Sequence, residues 1–177
     1  HIYTSGLMPQ ALAIRDEIDR RGLPHFVWMF SSTIDRGKGN TFRTLIHFGI
    51  EPPVFFRYIE QRPAKRVAII HVLLGPVIEE YEEVVVPGLK KRGVEDVLIK
   101  SYPIEQVDFT SVVAQVGDFN PEIIILSGFS HNMVSMVRAL RSRNMMKGRT
   151  ILASYDLIDA SDKLSLEDLE GLLVVSP

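Results

Sequence analysis

Cysteine is absent from the 177 residues. Disulfides, thiolate zinc sites and cysteine nucleophiles are excluded with it, although no compartment is thereby fixed. Aromatic residues make up only 8%, with a single tryptophan. Neither sign of charge is much in excess: 20 Lys and Arg stand against 22 Asp and Glu, a formal net charge of -2. That balance gives no broad pull toward nucleic acid, so no nucleic-acid partner is expected. No apolar run approaches the roughly 20 residues of a membrane-spanning helix. A secretory signal pattern is missing too. The chain opens on His1 rather than Met and reads as a processed or excised piece, so this last absence says little about where the protein resides.

Hydrophobic residues reach 46% and charged residues 24%, the proportions of a globular chain with a sizeable core. The length suits one ordinary domain or one and a fraction. The chain is organised around Pro121 to Phe129, where the four large aliphatics Ile123 to Leu126 lie between Pro121 and Ser127-Gly128. The run lacks the alternation of a half-exposed strand and suits one buried on both faces of a parallel sheet. Helix-like segments flank it. Phe109, Val112, Val113 and Val116 recur at helical spacing behind Asp108 as N-cap, and Met133, Met136, Val137 and Leu140 repeat the pattern. The expected class is therefore α/β: a three-layer, mostly parallel, doubly wound sheet. Ligands of such sheets sit beyond the carboxyl ends of the strands, where Ser127, Gly128 and Phe129 stand.

Along the chain, Ile2 to Thr4 reads as a strand end before the turn Ser5-Gly6. Leu7, Ala11, Ile14 and Ile18 predict a helix with Pro9 in its first turn and a stop at Gly22 to Pro24. His25 to Phe30 is a strand candidate running into Ser31-Ser32-Thr33, followed by a polar loop and a crossing segment from Thr41 to Ile50. Pro52-Pro53 opens a short helix through Phe55, Phe56 and Ile59. Strands are then expected at Val67 to Ile70, Val94 to Ile99, Glu122 to Leu126, Thr150 to Ala153 and Leu172 to Val175. Ile78, Tyr81, Val85 and Leu89 share a helical face that Pro87 should bend or shorten.

Chemistry-bearing motifs are few. Gly37-Lys38-Gly39 lacks the spacing of a phosphate loop or dinucleotide fingerprint, so no cofactor is expected. Gly128-Phe129-Ser130-His131-Asn132 invites comparison with a nucleophile elbow, but Asn132 stands where that motif wants Gly and no histidine follows Asp156. Ser130 is better read as a helix N-cap. The histidines lack metal-ligand spacing. Glu79, Glu80, Glu82 and Glu83 cluster where a helix dipole favours acids, and Arg138 to Arg149 suit a solvated helix C-terminus. What remains are small polar and aromatic groups at strand ends: Ser31, Ser32, Thr33, His71, Ser127, Phe129, Tyr155 and Asp156. That inventory suits a small-molecule cleft, with turn and cap residues as the bland alternative. No catalytic or metal-binding residue is assigned, and an enzyme on a doubly wound scaffold is the alternative reading.

Thr41-Phe42-Arg43-Thr44, Lys65 to His71, Ser101-Tyr102-Pro103-Ile104, Asp108-Phe109, Pro121 to Ile125 with Ser127-Gly128-Phe129, and Glu170 to Pro177 follow one another in an order and spacing that resemble a known family. It is that of the type I periplasmic solute-binding proteins of the branched-chain amino-acid (Leu/Ile/Val) class. The resemblance implies two α/β lobes closing on a ligand, with residues 1–48 in the later part of lobe one and 49–177 forming most of lobe two. It implies extracytoplasmic binding of an amino acid or related small carboxylate, for ABC-type uptake or for sensing. The partners would then be the ligand and either a membrane permease or a signalling domain, in the periplasm or outside the cell. By the same resemblance, the Ser5-Gly6 turn and Ser31-Ser32-Thr33 match segments that hold a ligand carboxylate. Phe129 matches an aromatic lining position, and Tyr155 or Asp156 the acid that pairs with a ligand ammonium. One departure is plain: Val72-Leu73-Leu74-Gly75-Pro76 replaces a polar loop that carries an aromatic before a Gly, which opens the site to a more apolar ligand.

Overall fold

In the computed structural model, residues 2–6, 8–29, 34–35, 37, 39–44 and 48–175 are described. They divide into two compact units, His1–Ile50 and Glu51–Pro177.

The first unit is a small parallel sheet with one helix against it. Strands β1 (Tyr3–Ser5), β2 (His25–Val27) and β3 (Thr41–Arg43) pair in the order β1-β2-β3, all parallel. Helix α1 (Met8–Arg20) crosses between the first two. Its Ala11 and Ile18 are buried, whereas Ile14 is exposed, so the apolar stripe is narrower than its spacing predicts. Ala11 joins Val27, Met29 and Ile34 in the unit's core. Gly22 takes the left-handed conformation (φ 65°) that ends the helix, as its position before Pro24 predicts. Two expectations need correcting. The second strand stops at Val27, with Trp28 two-thirds exposed, and Thr41–Arg43 is a paired strand rather than a crossing. Pairing of Phe42 with Phe26, whose rings stack at 5.4 Å, gives the Thr41 segment a partner that single-sequence reading cannot see.

The second unit is a five-stranded, wholly parallel sheet of order β5-β4-β6-β7-β8. Its strands are β4 (Arg66–Val72), β5 (Asp96–Tyr102), β6 (Ile123–Ser127), β7 (Thr150–Ala153) and β8 (Leu172–Val174). The aliphatic run forms β6, at the centre, and every residue of it is buried. Full burial of consecutive residues needs cover on both faces. Helices α2 (Glu51–Gln61) and α4 (Val86–Lys90) pack on one another, as do α5 (Thr110–Phe119) and α6 (Ser130–Ser142). The α6 stripe Met133, Met136, Val137 and Leu140 is wholly buried, as its spacing predicts. Two short elements, a 3-10 helix at Tyr155–Lys163 and α7 (Leu166–Leu169), lead into β8.

At Pro87, where a bend or shortening is expected, the helix changes type. Between α3 (Gly75–Ile78) and α4 lies a π-helical stretch, Glu79–Val85, whose wider turn carries the Val86 N–H back to the Tyr81 carbonyl. A proline ring clashes with the carbonyl four residues before it, and widening the turn relieves that clash without breaking the helix. Tyr81, Val85 and Leu89 still face the core. At α5 the cap position is Phe109, one residue after the expected Asp108, whose Oδ1 still accepts the Thr110 N–H (2.8 Å) from just outside the helix. At α6 the cap position is Phe129, one residue before the expected Ser130.

Candidate functional site

Strand order reverses at β4, whose neighbours β5 and β6 lead away on opposite sides. The crevice beyond the carboxyl ends of β4 and β6 is the place where open α/β sheets bind ligands. His71, near the end of β4, lies in register with Ser127, the last residue of β6.

The β6 end is built around a close approach. A Cβ on Gly128 would stand 1.8 Å from Tyr102 Oη, so only glycine fits there. Tyr102 uses that space to donate to the Ser127 carbonyl (2.8 Å), and its ring meets Phe109 edge-on at 4.8 Å. Asn132, fully buried, braces the next turn: its amide donates to the Ile104 and Gln106 carbonyls (3.0 and 2.9 Å) and its Oδ1 accepts the Phe129 N–H (3.4 Å). Phe129 is thereby held half-exposed at the strand end.

Behind the ends of β4, β6 and β7 lies a buried polar chain. His71 has no exposed surface; its Nδ1 faces the Val72 carbonyl at 3.0 Å and therefore carries the proton. Among the described residues its Nε2 has no partner, and burial pushes its pKa down, so the ring is neutral at pH 7. The imidazole stacks on the Tyr81 ring, 5.5 Å between centroids and 6° from parallel. Tyr81 Oη donates to Glu51 Oε2 (3.3 Å). Glu51 Oε1 accepts the Tyr155 backbone N–H (3.2 Å). The Ser127 hydroxyl lies beside the Tyr81 phenol but makes no hydrogen bond of sound geometry.

Two carboxyls in this region are shifted upward. Burial pushes Glu51 up to about 7, and the neighbouring Asp156 charge adds to the rise. Burial likewise raises Asp156 to about 6, against the pull of the Ser154 hydroxyl, which donates to Oδ2 at 3.4 Å. No ion pair among the described residues reaches either group. Glu80, on the π-helical stretch, is raised by burial too. A groove of about 340 Å³ along this stretch is lined by Gly75, Ile78, Glu79, Glu82 and Glu83. The carboxyl end of the sheet thus gathers carboxyls that no Lys or Arg among the described residues pairs with.

A family model described as periplasmic binding protein matches residues 5–177. The chain belongs to that family. No curated protein matches it. Among solved structures, a solute-binding protein from R. palustris in complex with 4-hydroxybenzoate is 20% identical with a TM-score of 0.74, over 89% of this chain and 44% of that one. A leucine-binding protein from Thermotoga maritima is 18% identical with a TM-score of 0.67, over 98% and 49%. An extracellular ligand-binding receptor from Rhodopseudomonas palustris HaA2 is 19% identical with a TM-score of 0.76, over 97% and 48%. At these identities the likeness is one of fold. The chain spans less than half the length of each.

Of the residues singled out from sequence, His71, Phe129, Tyr155 and Asp156 stand at the carboxyl ends of β4, β6 and β7. Phe129, Tyr155 and Asp156 are half-exposed, whereas His71 is sealed behind them. Ser5 belongs to the first unit, where its hydroxyl shares a 2.9 Å hydrogen bond with His25 Nε2. Ser31, Ser32 and Thr33 lie outside the described residues. Sequence reading missed Glu51 and took Tyr81 for ordinary core. The available signal was a lone acid inside the apolar stretch Phe48 to Phe56.

Proposed function

We propose that the protein carrying this chain binds a small extracytoplasmic solute, an amino acid or related small carboxylate, in a cleft between two lobes. The observation that carries this reading is the grouping of half-exposed Phe129, Tyr155 and Asp156 beyond parallel strands, in a chain of the periplasmic binding protein family. On this reading residues 1–48 belong to lobe one and 49–177 supply most of lobe two. Asp156, with no protein cation beside it, takes the ligand ammonium, and Phe129 lines the apolar part. Backbone N–H groups at Ser5-Gly6 and the hydroxyls of Ser31, Ser32 and Thr33 take the carboxylate, since the Ser5 hydroxyl is engaged by His25. Leu73, half-exposed in the loop after β4, favours an apolar side chain such as leucine's. The partner is a membrane permease or a signalling domain, and the location periplasmic or extracellular.

A thermal-shift screen of the full-length protein against amino acids and aromatic carboxylates tests this. A ligand at 100 times its Kd adds about 2.7 kcal/mol of stability. Asp156→Asn should weaken amino-acid binding at least about tenfold, since one member of a desolvated charged pair is lost. Unchanged affinity in Asp156→Asn, with Tyr155→Ala also silent, rejects an ammonium at this position. A second reading, an aromatic carboxylate without an ammonium, draws on the apolar loop Val72 to Pro76 and predicts that outcome.

A further inference from the structure

Glu51 stands apart from the other acids of the chain. It is 1% exposed, and no Lys or Arg among the described residues pairs with it. A buried carboxyl without a cation is costly unless hydrogen bonds replace its water. Glu51 has two such bonds, and they reach different elements. Oε2 accepts the phenol of Tyr81, on the π-helical stretch. Oε1 accepts the backbone N–H of Tyr155, 104 residues away.

Tyr155 is the first residue of the 3-10 helix that follows β7, and its N–H belongs to the end where such groups lack a partner within the helix. The preceding residue, Ser154, gives that end no side-chain cap. A carboxyl from α2 supplies the missing acceptor instead, with the favourable polarity for a helix N-terminus. The first two residues of the capped helix are Tyr155 and Asp156. Behind Tyr81 the support continues to His71, stacked on its ring, and to the Ser127 hydroxyl beside its phenol.

We infer that Glu51 is a positioning residue of the cleft: it caps the helix after β7 from α2, so fixing the directions of Tyr155 and Asp156. This rests on the solute-binding reading above only for what those two residues do once fixed. It also feels the charge of Asp156 without touching a ligand. The ionisable groups around Glu51 are Tyr81 and Glu80 from the π-helical stretch and Tyr155 and Asp156 from the helix it caps. None is a cation. An ionised Asp156, the lower of the two at about 6, therefore makes ionisation of Glu51 harder, and a ligand cation relieves both carboxyls together.

Amide hydrogen exchange and carboxyl titration by NMR, on the unliganded chain, decide the matter. In Glu51→Ala the Tyr155 amide should lose at least about tenfold of its protection while the β6 amides keep theirs. In Glu51→Gln an acceptor oxygen remains, so Tyr155 should stay protected; in Asp156→Asn Glu51 should titrate at lower pH, because the neighbouring charge that raises it has gone. Should Glu51→Ala not fold, Glu51→Met, which fills the same space without an acceptor, takes its place in the exchange measurement. A Glu51 titration unmoved by Asp156→Asn, or a Tyr155 amide equally protected in a folded Glu51→Ala or Glu51→Met, overturns the assignment. L-Leucine and 4-hydroxybenzoate then serve as binding probes with Asp156→Asn. Failure of that arm removes the ammonium reading and leaves the capping role standing or fallen on the exchange data.

Discussion

The two sheets of this chain are both parallel, yet they meet opposite fates at their faces. In the five-stranded sheet every residue of β6 is buried, whichever face it points to. In the three-stranded sheet one face buries Ser5, His25, Val27 and Thr41, with Tyr3 at its edge 40% exposed. The other presents Thr4, Phe26 and Phe42 in register, with the two phenylalanines 38% and 47% exposed. Parallel sheets ordinarily have both faces covered. The difference teaches that stability in the second unit is written into strand interiors, whereas in the first it rests on one helix and one face.

The largest test of that contrast lies at the centre of β6. Ile125 and Leu126 have no exposed surface. Truncation of either to alanine should cost about 2–5 kcal/mol, from lost burial and the cavity left behind. Amide exchange read separately over residues 51–175 and 2–29 should show the loss mainly in the second unit. Equal loss in both would mean that the units unfold as one.

The next effect is one of pH, and its principal group again lies in the second unit. A Glu51 carboxyl held at about 7, against an ordinary 4.5, keeps its proton more tightly folded than unfolded. Its contribution to stability is present in full below about pH 4.5 and is lost as pH rises through 7. The rise from 4.5 to about 7 corresponds to roughly 3 kcal/mol across that window. His71 works against it, since burial lowers its pKa and stability falls as pH drops below its ordinary 6.5. Denaturant midpoints between pH 5 and 8, compared for the parent chain and Glu51→Gln, isolate the carboxyl. Parallel curves for the two would show that Glu51 does not titrate in this range.

Gly128→Ala comes third. The added methyl would collide with Tyr102 Oη and break its bond to the Ser127 carbonyl. Overpacking of this kind costs about 1–3 kcal/mol. Tyr102→Phe removes the colliding oxygen, so the alanine should cost less in that background, a non-additivity that urea denaturation of the four variants measures. Strict additivity would place the strain elsewhere.

Most of the second unit was legible in the sequence because its signals are local. Ile123 to Leu126 has no exposed residue, and a continuous aliphatic run says so without reference to a partner. The α6 stripe and the Gly22 stop are read the same way. What stayed hidden depends on residues far apart in sequence. Thr41–Arg43 is a strand only because β2 pairs with it, and Glu51 matters only because Tyr155 arrives from 104 residues away. The π-helical stretch was half legible: Pro87 marks a disturbance, but that it takes the form of a wider turn with Tyr81 and Val85 kept buried is not written in the local sequence. Candidate cleft residues were legible as strand ends, and His71 illustrates the limit. Its place at the end of β4 suggests a surface position, yet stacking on Tyr81 seals it in.

The smallest effect bears on the bare face itself. Phe26 and Phe42 stack with centroids 5.4 Å apart and planes 29° from parallel, and both remain over a third exposed. Little burial is lost when either is shortened, so Phe26→Ala and Phe42→Ala should each cost well under the 2–5 kcal/mol of the β6 truncations. What they share is the ring contact, and stacked aromatic pairs contribute about 0.5–1.5 kcal/mol beyond area. A double-mutant cycle followed by amide exchange of β2 should therefore return a coupling near the lower end of that range. The same two positions also probe the covering of the sheet. If this face is bare in solution, serine at both should leave the first unit's exchange rates within a few-fold of the double alanine. If something covers it, two hydroxyls would be placed in an apolar contact and the serine pair would be distinctly worse, because burying an unsatisfied hydroxyl costs about 1–3 kcal/mol. A gap of that size between the serine and alanine pairs would mean that the contrast between the two sheets is one of degree.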